Sequence, residues 1–348
     1  MPSQPMFSAT LAGSLPKPAW LAEPEKLWAP WRVAGDELVA AKQDAALLWL
    51  KTQEDAGLDI LTDGEQFRVH FVHGFLERVA GIDWQLKTPM GIRNNRYTVE
   101  VPTVTGKLAR QGPIHSDEVR FTRAHTTRGL KVTLPGPMTI CDTIADAHYG
   151  SRPALAMAFA EILNQEAHEL AALGVDVVQF DEPAFNVFMD EVKDWGIPAL
   201  ERAAEGLACQ TAVHICYGYG IDANIRWKDT LGSEWRQYEE IFPALNRSRI
   251  DQVSLEAQGS KVPLSLIRLL PDKQILVGAI DVATNTVETP EAVAGILQEA
   301  TRYADSDRIQ ACTNCGLAPL PRSVAAAKLA ALGAGARMMR ERHGHKPA

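Results

Sequence analysis

His214 and Cys216 stand two residues apart at the end of a β-branched run, Thr211–Cys216, and a strand there turns both side chains to one face. Glu256 follows the run Gln252–Leu255, and Cys315 lies just past the run Arg308–Cys312. Together they offer one imidazole, two thiols and one carboxylate. Mixed nitrogen and sulfur donors suit a tetrahedral Zn²⁺, whereas magnesium and calcium prefer oxygen shells. The His-x-Cys pair alone also fits a core histidine beside an inert cysteine. Cys312, in C-x-x-C spacing with Cys315, is the rival ligand; it lies within the run, and so deeper, whereas Cys315 lies beyond its end. Two thiolates and a carboxylate outweigh the charge of Zn²⁺, so such a metal activates water poorly. It still holds an incoming thiol as thiolate at neutral pH, where a free thiol with a pKa of about 8.5 is mostly protonated. The chemistry this set suits is thiol alkylation.

The elements that must position these residues recur along the chain. Short apolar or β-branched runs occur at Phe7–Gly13, Leu58–Thr62, Leu130–Leu134, Val175–Phe180, Thr211–Cys216, Gln252–Leu255, Gln274–Ile280 and Arg308–Cys312. Amphipathic stretches such as Ala154–Leu173, Pro290–Ala304 and Pro321–Leu332 lie between or after them. Strands alternating with helices imply parallel βαβ units, and eight of them imply an α/β (β/α)8 TIM barrel. In that fold the chemistry gathers at the carboxyl ends of the strands. Gly13-Ser14, Asp63-Gly64-Glu65, Pro135-Gly136-Pro137, Asp181-Glu182-Pro183 and Asp281 all fall at such ends, beside the four candidate ligands.

One domain over residues 1–348 is expected, with no linker and no repeat. Between the second and third strands, residues 66–127 exceed an ordinary connection; the alternating stretch Arg96–Lys107 marks an inserted β-hairpin excursion there. Pro16–Gly35, rich in tryptophan and proline, reads as a packed arm, and the polar tail 340–348 as frayed. With 46% hydrophobic and 22% charged residues the chain can bury a large core, and a net charge of −8 argues against nucleic acid or an anionic membrane as partner. The start MPSQPMFSAT is no secretory signal, and no apolar stretch approaches the roughly 20 residues that span a bilayer. Five scattered cysteines fit a reducing, cytoplasmic setting rather than a disulfide framework.

The stretches LAGSLP, GLDILTDGE, LPGPMT, VVQFDEPAF, VHICYG, LEAQGS, GAIDV and NCGLAPLPR, in this order along nearly the whole chain, resemble the catalytic barrel of the cobalamin-independent methionine synthase family. The resemblance implies a (β/α)8 barrel, zinc on His214, Cys216, Glu256 and Cys315, and transfer of a methyl group to homocysteine. It also implies that Glu65 and Asp181 hold the homocysteine ammonium while Gly13 and Ser14 meet its carboxylate. The residue chemistry agrees, since ammonium needs carboxylate acceptors and a glycine turn offers amide donors. Plainer roles stand beside these: Asp181 as a helix cap, Ser14 as a turn residue.

The chain matches the short, single-barrel form of the family and departs from the long form twice. Thr143 stands where the long form stacks a tryptophan on the pterin, and Ala283 where it has a histidine implicated in acid catalysis. The methyl donor is therefore open between methyl-folate, a methylated corrinoid protein and a group delivered by a companion protein. The competing readings are alkylation of another thiol such as coenzyme M, a uroporphyrinogen decarboxylase type of barrel, which needs no such ligand set, and a non-catalytic zinc-stabilised binding barrel.

Overall fold

The computed structural model describes residues 5–24, 26 and 30–344. Its strands, in chain order, are β1 (Ile60–Leu61), β2 (Val79–Ile92), β3 (Tyr97–Arg110), β4 (Gly129–Pro135), β5 (Ala145–Asp146), β6 (Val177–Asp181), β7 (Gln210–His214), β8 (Gln252–Glu256), β9 (Gln274–Ile280) and β10 (Ile309–Thr313). Seven of them form one curled sheet in the order β1-β4-β6-β7-β8-β9-β10, every neighbouring pair parallel. Each of the seven later runs expected from the sequence supplies one of these strands.

The first run, Phe7–Gly13, forms no ladder strand. It makes a single parallel bridge, Ala9 to Ala311 in β10. On its other side the amides of Asp59 and Ile60 both donate to Ala9 O, at 2.9 and 3.2 Å. The Asp59 carboxylate takes the Ala9 N–H at 2.8 Å, so a side chain stands where a second ladder bond would form. The segment thus touches both edge strands of the sheet, β10 and the start of β1.

The helices begin and end where local chemistry dictates. Arg152–Ala172 starts at Ser151, whose hydroxyl accepts the Ala154 N–H, with Pro153 in the first turn where its missing N–H costs nothing. It stops at Leu173-Gly174, where glycine adopts φ +87° before the chain enters β6. Pro290–Ala300 starts in the same manner under Thr289. The closing helix, Arg322–Arg342, runs past the point where the tail was expected to fray. Arg340 pairs with Asp59 at 2.8 Å and donates to Phe7 O, which anchors its last turn. Residues 345–348 of that expected tail lie outside the described residues, as do residues 25 and 27–29 of the tryptophan- and proline-rich arm. The described part of the arm packs as expected: Leu21 buries against Ala41 and Ala45 with Trp31 alongside, and Trp49 donates to Pro16 O.

The inserted hairpin is longer than its alternating stretch suggested. β2 and β3 pair antiparallel, closing at Ile92 opposite Tyr97. β3 also pairs in parallel with the short β5, so the hairpin leans on the chain just after β4. No helix among the described residues is long and apolar enough to cross a membrane.

Candidate active site

Parallel strands deliver their carboxyl ends to one side of the sheet. Asp181 and His214, the last residues of β6 and β7, are paired directly in register. A cavity opens there, lined among others by Ser14, Glu65, Asp181, His214, Cys216, Tyr219 and Cys315.

The imidazole of His214 and the thiols of Cys216 and Cys315 are buried with their donor atoms all within 4.8 Å of one another. The two sulfur atoms are 3.2 Å apart. β7 ends at His214, so Cys216 is not a strand residue as the spacing predicted. Its position is fixed instead by the turn after β7, where Asn186 donates to Cys216 O. A hydrogen bond from the Cys315 thiol, with the His214 imidazole beside it, holds Cys216 well below the usual thiol range despite its burial. The same bond, together with burial, pushes the Cys315 thiol well up. Burial pulls His214 down, and the negative charge of Cys216 more than offsets it. Neither ring nitrogen of His214 is aligned for a hydrogen bond, although both are buried. A buried imidazole with two unsatisfied nitrogens beside two close sulfurs fits a soft cation that would accept a nitrogen lone pair and neutralise both thiolates. The donor set therefore fits zinc.

Glu256 ends β8 beside this cluster but does not join it. Its Oε1 accepts the Tyr217 N–H at 2.7 Å and its Oε2 lies 3.5 Å from Lys228 Nζ. Burial pushes its carboxyl up to about 7, against the pull of Lys228. Cys312 packs with Ile60, Val177, Ala212 and Leu276 in a small apolar cluster drawn from five strands, as its deeper place in the run suggested.

On the other wall, Glu65 follows β1 in a left-handed conformation at φ +58° and accepts from Thr133 Oγ1 at 3.0 Å. Burial raises its carboxyl above the usual range. A Cβ on Gly13 would stand 2.8 Å from Glu65 Oε1 and 2.9 Å from Thr133, so glycine is what lets the Gly13-Ser14 turn approach that carboxylate. Ser14 shares a 3.1 Å hydrogen bond with the Tyr219 hydroxyl. Gly316 leaves room for that pair, since a Cβ there would fall 2.0 Å from Ser14 Oγ. Asp181 accepts from Gln179 at 2.8 Å, and burial lifts its carboxyl to about 7.

Capping belongs to Glu182, not Asp181. Its carboxylate accepts the Met138 and Thr139 amides at 2.9 and 2.8 Å, and so caps the helix Pro137–Cys141 after β4 rather than the turn that follows it. Thr143 turns its hydroxyl back onto Thr139 O and Ile140 O and offers no stacking face. Ala283 lies in the turn after β9, its amide bonded to Asp281.

Sequence reasoning missed Tyr219 and the hairpin tip. Arg93, Arg96 and Tyr97 line the same cavity, brought there by the β2–β3 turn. The repeated Tyr-Gly of YGYG and the Arg-Asn-Asn-Arg between two alternating stretches were the available signals.

The family model for the catalytic domain of cobalamin-independent synthase matches residues 7–337. A methionine synthase from Sulfurisphaera tokodaii is 32% identical over 343 residues, 98% of this chain and 95% of that protein. The solved structure of a B12-independent methionine synthase from Shewanella sp. W3-18-1, in complex with selenomethionine, superposes with a TM-score of 0.95 at 55% identity, covering 98% of this chain and all of that one. A putative vitamin-B12-independent methionine synthase from Listeria monocytogenes shares the fold alone, with a TM-score of 0.72 at 16% identity over 97% of this chain and 99% of that one.

Proposed function

The chain belongs to the cobalamin-independent methionine synthase family, and from that premise we propose that it is a zinc-dependent methyltransferase that converts homocysteine to methionine in the cytoplasm. We read Ser8–Thr10 as the eighth stave of a (β/α)8 barrel formed by the single domain 1–348, because it bonds to both edges of the seven-stranded sheet. The observation that carries the functional reading is the meeting of His214, Cys216 and Cys315 in the cavity that also holds Glu65 and Asp181.

His214, Cys216 and Cys315 would hold zinc, with Glu256 as fourth ligand once its carboxylate turns from Tyr217. Bound there, zinc supplies a Lewis acid that keeps a thiol ionised at neutral pH. Asp181 and Glu65 accept the homocysteine ammonium, and each must be ionised to do so. The Ser14 hydroxyl, shared with Tyr219, and the Gly13-Ser14 turn take the carboxylate. Fixing both ends of the amino acid aims its sulfur at the donor methyl, and that positioning is the chain's own contribution to rate. The new C–S bond forms as the donor keeps the electron pair of the bond it loses. The donor is methyl-folate, a corrinoid-borne methyl, or a group brought by a companion protein.

Coenzyme M carries no ammonium group to pair with Glu65 and Asp181, so its sulfonate would face two buried carboxylates with nothing to offset them, which sets it second. Calorimetric titration of homocysteine and of 2-mercaptoethanesulfonate into zinc-loaded protein tests the choice. Tight binding of homocysteine alone is expected; failure of homocysteine to bind ends the reading. A donor screen with methyl-folate, methylcobalamin and cell extract then identifies the methyl source.

A further inference from the structure

Glu65 accepts an ammonium group only as a carboxylate, yet it is buried in the cavity wall, where desolvation favours the neutral acid. Asp63 and Asp181 bring like charge to the same place. Two cations oppose that rise, Arg68 and, more weakly, Lys17. Tyr219 also faces Glu65, but burial raises its phenol well above the usual range and keeps it neutral. What holds Glu65 in the charged form is therefore to be sought at Arg68.

Arg68 is itself buried and is fixed along its whole length. Its stem packs on Gly74, where a Cβ would stand 2.9 Å from Arg68 Cβ. Nη2 lies 3.8 Å from Asp63 Oδ2, and Nε lies 3.8 Å from Glu118 Oε2. Nη1 donates to Thr133 twice, to the carbonyl at 2.8 Å and to the hydroxyl at 3.3 Å. A guanidinium has donors only, so it fills an acceptor position of that hydroxyl and cannot take its proton. Among the described residues the proton has one acceptor, Glu65 Oε1 at 3.0 Å. Thr133 belongs to β4, which pairs in parallel with β1, the strand that Glu65 follows. The donor thus stands on the sheet, while the turn is closed by Asp63 Oδ1, which accepts the Glu65 N–H at 2.9 Å. A hydrogen bond donated to a carboxylate favours its charged form.

We propose that Arg68 is a positioning residue for the substrate ammonium: by occupying the acceptor side of the Thr133 hydroxyl it turns that hydroxyl's proton onto Glu65 and keeps Glu65 a carboxylate. This rests on Glu65 receiving the homocysteine ammonium. Arg68 and Thr133 act through Glu65, the first by orienting the hydroxyl and by its charge, the second by the hydrogen bond alone.

The test compares wild type, Thr133→Val and Arg68→Met as zinc-loaded protein, with two readouts. The first is the titration of Glu65 itself, followed by nuclear magnetic resonance of isotope-labelled glutamate carboxyls and assigned with Glu65→Gln. Thr133→Val, which keeps the shape and the Arg68 charge, should move the Glu65 midpoint up by about one pH unit, and Arg68→Met should move it further. The second is methionine affinity by calorimetry. Relative to wild type, Thr133→Val should bind about fivefold more weakly at pH 6 and recover to within about twofold at pH 8.5, where Glu65 ionises without help. A loss of equal size at both pH values would be a packing defect and overturns the proposal. So does an unchanged Glu65 midpoint in Thr133→Val, even if Arg68→Met shifts it, since the relay would then be idle. Should Arg68→Met fail to fold, Thr133→Val decides alone. If wild-type protein bound no methionine, the ammonium role of Glu65 would fall, while the ligand-free titration would still decide whether Arg68 and Thr133 hold it charged.

Discussion

Cys216 and Cys315, carried by segments 99 residues apart in the chain, place their sulfur atoms 3.2 Å from each other. At that separation two thiolates repel strongly, so both ionise only around a cation; without one, a proton stays between them. Cys216→Ser and Cys315→Ser should therefore each lose most bound zinc while keeping the wild-type circular dichroism spectrum. Cys312→Ser should retain the metal, because Cys312 sits in an apolar cluster rather than against His214. Zinc content by atomic emission after dialysis reads this directly. Full retention in Cys315→Ser would remove Cys315 from the site.

The titration of Asp181 gives a second expectation. Burial lifts its carboxyl to about 7, with the charge of Glu65 adding to the rise and His214 opposing it. Only the ionised form accepts an ammonium group. Methionine binds without losing a thiol proton, so its affinity for zinc-free protein reports on the two carboxylates that take the ammonium, Asp181 and Glu65, both raised by burial. Affinity should rise with pH and level off above about 7, falling by up to about tenfold for each unit below. Asp181→Asn should weaken binding and flatten the profile. The effect on stability has the opposite sign: a raised folded-state pKa contributes stability below the unfolded value of 3.8, and that contribution is lost as pH rises through about 7. A methionine affinity independent of pH between 5 and 8 would rule out this role.

What the sequence made legible follows from the period of its elements. β9 runs Gln274–Ile280, the bounds its apolar run predicted, because a parallel strand buried on both faces is continuously apolar. His214 and Cys315 were readable as partners because strand ends converge in a parallel α/β sheet, whatever their separation along the chain. Cys216 was placed on a strand that in fact stops two residues earlier: the His-x-Cys spacing cannot say where a ladder ends. Glu256 was readable as a carboxylate beside the cluster, but its bonds to Tyr217 and Lys228 depend on the turn after β7 and on the helix Asp222–Lys228, neither of which has a periodic signature. Arg96 was invisible as a site residue for a related reason. A hairpin announces its strands by alternation, while the direction in which its tip leans is set by one distant contact, Arg93 with Asp142.

That contact makes the hairpin tip testable. Both side chains of the Arg93–Asp142 pair are buried. Removing one partner of a buried pair costs about 3–5 kcal/mol when the other stays buried. At a hairpin tip the freed arginine can swing into water, so Asp142→Asn should cost less, about 1–2 kcal/mol in urea unfolding, and release the tip. Amide exchange at Arg96, whose N–H donates to Ile92 O at 3.0 Å, should accelerate, and trypsin should cut after Arg93 or Arg96. An unchanged exchange rate in Asp142→Asn would show that the tip is held by other contacts.

Two glycines in helices separate packing from backbone propensity. Replacing an interior helical glycine with alanine gains about 1 kcal/mol where nothing obstructs the new methyl group. Gly295, exposed in Pro290–Ala300, has no atom within 4 Å of where a Cβ would stand, so Gly295→Ala should stabilise by about that amount. Gly333, buried in Arg322–Arg342, would put its Cβ 1.9 Å from Ala56 O at the end of the helix Gly35–Asp55. The obstacle is backbone, which cannot rotate away, so the two helices must separate. Overpacking of this kind costs about 1–3 kcal/mol and outweighs the propensity gain. Gly333→Ala should therefore destabilise by about 1 kcal/mol net in urea unfolding, with zinc content preserved because neither helix carries a residue of the cluster. If Gly333→Ala were as stable as Gly295→Ala, the close crossing of these two helices would not constrain the fold.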